Sequence, residues 1–137
     1  MILKRVAPAH RMLAFTALAT LLAVRLSLWM LSFDRVMRFV TTSGFPRSIY
    51  RGCTPPEVAG AVQSASRLAG ATCLSQALTT QKLLSWCGHP SRLHIGVSLA
   101  EEFEAHAWVE CCGRVVMGSA DGLDRFIPIL TMDTQRS

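Results

Sequence analysis

Thr72-Cys73-Leu74-Ser75-Gln76-Ala77-Leu78 and Ala105-His106-Ala107-Trp108-Val109-Glu110, with the histidine thirty-three positions after the cysteine, decide how this chain reads. In the first stretch Leu74, Ala77, Leu78 and Leu84 recur at roughly 3.6-residue spacing, with Ser75, Gln76, Thr79, Thr80 and Lys82 mostly opposite, which predicts an amphipathic helix. Thr72 suits the N-cap, because its hydroxyl can accept from a free backbone N–H. Gly88 and Pro90 supply the stop. Cys73 is then the first helical residue, where unpaired N–H groups and the positive dipole end favour thiolate over thiol.

The second stretch reads as β structure. Leu93, Ile95, Val97 and Leu99 alternate with His94, Gly96 and Ser98, the pattern of a half-buried strand. After a charged turn (Glu101, Glu102, Glu104), a further alternation puts His106, Trp108 and Glu110 on one face and Ala105, Ala107 and Val109 on the other. Cys112-Gly113 is a tight turn into Arg114-Val115-Val116-Met117, making a hairpin. Alone, Cys73 reads equally as a small buried hydrophobe, and His106 as a structural strand histidine. Together, a thiol at a helix start and an imidazole on a later strand are the two halves of a cysteine-nucleophile site. The other four cysteines and three histidines lack this context.

Cys73-Leu74-Ser75-Gln76-Ala77-Leu78, Leu83-Leu84, Gly88, Leu93-His94-Ile95-Gly96-Val97, Phe103, Ala105 to Glu110, Gly113 and Phe126 resemble the transglutaminase-like cysteine protease of lasso-peptide biosynthesis, the leader peptidase or B protein. The resemblance covers residues 55–130. It implies an α+β chain with a minimal papain/transglutaminase-like fold: a nucleophile-bearing helix on a small antiparallel sheet, preceded by apolar N-terminal helices. It also implies a cysteine peptidase that cuts the leader from a ribosomally made precursor peptide before a separate ATP-dependent cyclase closes the macrolactam ring. The family carries an acid on the strand paired with the histidine strand. Here position 118, nearly opposite His106, is glycine, so the expected third residue is Asp121, with Asp124 as its alternative. Glu110 shares the face of His106 but stands two strand residues away, roughly 6–7 Å, too far for a hydrogen bond. The Cys73 amide is the natural oxyanion donor. Ser66 and Arg67 occupy the place of the side-chain donor found in papain-like folds, and Arg67 reads equally as a solvated helix residue. Nothing in residues 1–54 resembles the small β-rich leader-binding module of these systems, which implies a separate recognition protein.

Composition narrows the field. The chain has 137 residues, half of them hydrophobic, enough for one real core. Residues 1–54 read as an apolar, basic helical region and linker, and residues 55–137 as the peptidase domain. Pro56 suits a helix start, and Val58, Ala61, Val62, Ala65 and Leu68 form an apolar stripe ending near Gly70. Five scattered cysteines suggest no disulfide framework and favour a reducing cytoplasm. Cys87-Gly88-His89 and Cys111-Cys112 do not match zinc spacing, and no metal or cofactor is expected.

Residues 1–60 carry eight Lys/Arg against two acids, a net of +6, whereas residues 61–137 carry six against seven, a net of −1. With no aromatic-interleaved basic patch, nucleic acid is not an expected partner. Met12 to Val24 holds no charge, Arg25 follows, and Leu26 to Phe33 is again uncharged. Neither half reaches the 18 or so residues that a membrane span needs. One or two helices packed on the core or on a partner protein are therefore expected, with membrane association through residues 12–33 the weaker reading. Two other function classes stay open: another Cys–His acyl-transfer enzyme (amidase or transglutaminase), and a non-catalytic scaffold of the same fold.

Overall fold

The computed structural model describes residues 8–32, 35, 36, 38, 54–70, 72–99, 102–118 and 125–133. Among them three long helices, α1 (Pro8–Met30), α2 (Pro55–Ala69) and α3 (Cys73–Trp86), precede four strands: β1 (Arg92–Ser98), β2 (Glu104–Cys111), β3 (Arg114–Met117) and β4 (Ile127–Asp133). The strands form one antiparallel sheet in the order β3-β2-β1-β4. This is the expected α+β arrangement: the helix that Cys73 opens on a small antiparallel sheet, with an apolar helix ahead of it.

The helix ends follow from local chemistry. Thr54 caps α2, its hydroxyl accepting from the Glu57 amide at 3.4 Å, with proline in the first turn. At the other end Gly70 is left-handed, and its N–H returns to Ser66 O at 2.8 Å, a glycine C-cap. Val58, Val62 and Ala65 face the core as expected, but Leu68 is 82% exposed. The buried arc of α2 passes through Ala59 and Ser66 instead.

α3 departs from the amphipathic reading. Ser75, Thr79, Thr80, Gln81, Lys82 and Ser85 are buried along with Ala77, Leu78, Leu83 and Leu84. The helix sits centrally, packed by α1, α2 and the sheet. Its hydroxyls are satisfied within the helix: Thr79 Oγ1 donates to Ser75 O (2.7 Å), Thr80 Oγ1 to Gln76 O (2.8 Å) and Ser85 Oγ to Lys82 O (2.9 Å). That route lets Ser and Thr enter a core at little cost. Gln81 Nε2 donates to Met132 O of β4 at 3.0 Å and to Ser91 O at 3.4 Å, tying helix to sheet.

α1 runs unbroken through Arg25, where the sequence suggested a division. Arg25 Nη1 donates to Ala69 O, placing a cation at the negative end of α2. Leu13, Ala17, Leu21 and Val24 share one core with α2, α3 and the sheet. The Leu13–Met30 stretch is long and apolar enough to cross a membrane, and 28% of it is buried. The expectation of a packed helix thus holds for one face.

Candidate active site

Thr72 caps α3 with extended backbone (φ −79°, ψ 164°), accepting from the Ser75 amide at 3.3 Å. Ser75 Oγ lies 3.1 Å from Thr72 Oγ1 and donates to Thr72 O at 3.0 Å. These bonds fix the first turn and use the Ser75 and Gln76 amides. Among the described residues nothing accepts from the amides of Cys73 and Leu74. Cys73 itself is an exposed free thiol. A solvent-facing sulfur beside two unclaimed N–H groups is what a nucleophile and its oxyanion donors require.

Topology brings the start of β2 to the same end of the molecule. The turn after α3 reverses the chain into β1, and Cys111 Sγ, at the close of β2, reaches Pro90 O at 3.5 Å in that turn. Gln81 is bonded at the level of Met132, which pairs with Leu93. Cys73, at the opposite end of α3 from the turn into β1, therefore lies toward the end of the sheet where β1 closes and β2 opens.

The two faces of the sheet divide the work. Leu93, Ala107, Val109, Cys111 and Met117 join Ala77, Leu78, Leu83 and Leu84 in the core, so this face receives α3. His106 points to the other face. There its ring stacks on Trp108 (centroids 6.0 Å apart) and meets Phe126 at 5.5 Å. The alternation expected for β2 is thus present, and Trp108 neighbours the imidazole as anticipated. Among the described residues no hydrogen bond joins Cys73 Sγ to the His106 ring. The structure leaves the two groups separate, the ring on the face of the sheet away from α3.

His94 belongs to the same cluster, and the sequence reading passed over it. Its ring also stacks on Trp108 (5.3 Å), Nδ1 lies 3.2 Å from Thr131 Oγ1, and Nε2 lies 3.5 Å from Glu110 Oε2. That last distance is ion-pair range without hydrogen-bond geometry, and Nε2 has no hydrogen-bond partner. The signal was the shared parity of His94-Ile95-Gly96 and His106-Ala107-Trp108 across a hairpin. Gly96 makes room for the cluster, since a Cβ there would meet Phe126 and Trp108 at 3.0 Å.

The Cys112-Gly113 turn is present, both residues at positive φ (56° and 78°), as a two-residue hairpin loop requires. A bulge then shifts the pairing from Glu110↔Val115 to Val109↔Met117. In consequence Gly118 abuts Trp108, not His106: its Cβ would stand 2.8 Å from Trp108 Cβ. Asp121 and Asp124 lie outside the described residues. Glu110 faces His94 rather than His106. Ser66 Oγ donates to Gln63 O at 2.9 Å within its own helix, and Arg67 is exposed. Cys111 is buried and its thiol is pushed up to about 11, chiefly by burial and then by the neighbouring Cys112 sulfur at 3.8 Å.

A family model for the transglutaminase-like superfamily matches residues 18–131. The chain belongs to the transglutaminase-like superfamily. The match begins inside α1 and ends inside β4, so it takes in the second half of the N-terminal helix as well as Cys73 and His106. The superfamily includes cysteine-based peptidases and acyl-transferases. No curated protein and no solved structure matches the chain.

Proposed function

We propose that this chain is a cysteine peptidase that removes the leader from a ribosomally synthesised lasso-peptide precursor in the cytoplasm. The observation that carries the chemistry is the exposed Cys73 thiol on the first residue of α3, beside amides that nothing among the described residues accepts from. Superfamily membership supports acyl transfer through that sulfur. The CLSQAL and HAWVE stretches support the leader-peptidase subtype.

In this reading the His106 imidazole takes the proton of Cys73, and the thiolate attacks the scissile carbonyl carbon. The Cys73 amide receives the oxyanion. Imidazolium then protonates the leaving amine as the C–N bond breaks, and water, deprotonated by the same imidazole, clears the acyl-enzyme. The ring stands on the face of the sheet away from α3, so the reaction requires substrate binding to bring sulfur and ring together over the end of the sheet. Asp121 is the proposed orienting acid for His106. A separate leader-binding protein presents the precursor, and a separate ATP-dependent cyclase closes the ring.

Mass spectrometry of the chain incubated with a leader–core precursor and its leader-binding protein tests this directly. Two fragments summing to the precursor plus one water are expected, and Asp121→Asn slows their formation at least tenfold. A cross-linked product with loss of ammonia would instead reveal a transglutaminase, the reading that the same dyad also permits. An unaltered precursor would remove the peptidase assignment.

A further inference from the structure

We propose that the outer face of α1 docks on the interface of a bilayer containing anionic lipid. α1 is apolar on both sides. Leu13, Ala17, Leu21 and Val24 are buried against the domain. Phe15, Leu22, Leu26, Trp29 and Met30 face outward, with Phe15 at 76% and Trp29 at 84% exposure. At about 100° per residue these five fall within an arc of roughly 100°, a single stripe about 22 Å long. No charged side chain interrupts it. The exposed Leu68 of α2 adjoins it, lining with Phe15 and Leu18 an apolar hollow of about 210 Å³. A helix apolar all round calls for a cover on its second face, and a stripe of this length exceeds the scattered apolar residues normal on a monomer.

Charge selects the occupant. Residues 1–54 hold eight Lys/Arg and a single acid, Asp34. Arg35 and Arg38 follow the helix, and Lys4, Arg5 and Arg11 precede or open it. A second copy would set these cations against their own kind, whereas anionic headgroups neutralise them. Trp29 at the end of the stripe suits the headgroup boundary. Although Leu13–Met30 has the length of a span, its inner face belongs to the core and Arg25 is tied to Ala69 O. The helix therefore lies flat, its stripe sunk among headgroups and the domain above it.

Flotation of the full chain with vesicles of phosphatidylcholine and phosphatidylglycerol, three to one, tests the proposal. Binding is expected to exceed that to pure phosphatidylcholine by roughly tenfold and to fall with added salt. The triple variant Leu22→Gln/Leu26→Gln/Trp29→Gln, folded by circular dichroism, should lose roughly tenfold or more. Equal flotation of variant and wild type would overturn the proposal. So would a stripe-dependent dimer by light scattering in the absence of lipid, or resistance to alkaline carbonate extraction, which would mark a span.

Discussion

α1 and α3 are both poorly amphipathic, for opposite reasons. α3 takes polar side chains into the core, bonding its threonine hydroxyls to its own carbonyls and Gln81 Nε2 to strand β4, while Gln81 Oε1 is left without a partner. α1 leaves large apolar side chains outside. The difference shows that side-chain polarity sets burial only after local hydrogen bonding and neighbours have been counted. It also separates tasks. The largely buried helix carries one exposed sulfur at its tip, and the half-packed helix offers a surface.

The largest effect expected is at the tip of α3. Cys73→Ala and His106→Ala should each lower precursor cleavage by about a thousandfold or more, with melting temperatures close to wild type. A His106 variant that keeps most activity would strip the ring of its role as base. Next comes packing: Leu78→Ala, fully buried, should cost about 3 kcal/mol in denaturant unfolding. Leu22→Ala, on the outer face of α1 and 49% exposed, should cost under about 0.5 kcal/mol. Similar costs at the two sites would erase the contrast between the helices.

Gly118→Ala combines a positive φ of 86° with a Cβ 2.8 Å from Trp108. Its expected cost is on the order of 2 kcal/mol, with lowered activity because Trp108 underlies the His106 ring. The smallest effect concerns Lys82, whose buried amine lies over the Trp86 ring at 5.7 Å and whose pKa burial lowers. The unfolded chain then binds more protons between the lowered value and 10.5, so stability rises with pH across that window. Lys82→Met should flatten this rise in thermal melts recorded against pH.

Much of this was legible in the sequence. The Thr72 cap, the Cys73 start, the β2 alternation and the Cys112-Gly113 turn depend on local spacing, and each stands where the residues placed it. In β1 the burial departs from the alternation, with Ser98 buried and Leu99 73% exposed. What escaped depends on distant partners. Burial of Thr79 and Lys82 follows from α3 being surrounded, which no 3.6-residue pattern encodes. Exposure of Leu68 follows from where α1 crosses α2. The bulge that carries Gly118 to Trp108 adds one residue to a strand that was read as regular. His94 was missed because its meaning comes from pairing with Trp108 across β1 and β2. The sequence showed that His106 faces away from Ala107. That α3 covers the Ala107 side became visible only once the core was assembled.

The central claim is that Cys73 is activated by its helix end and by His106. Iodoacetamide alkylation of the intact protein across pH, read out per cysteine by mass spectrometry, measures this directly against Cys112, the other exposed thiol among the described residues. Near pH 6 Cys73 should react at least about tenfold faster than Cys112, and His106→Ala should remove most of that advantage. Equal rates at the two cysteines, unchanged by the histidine substitution, would contradict the account.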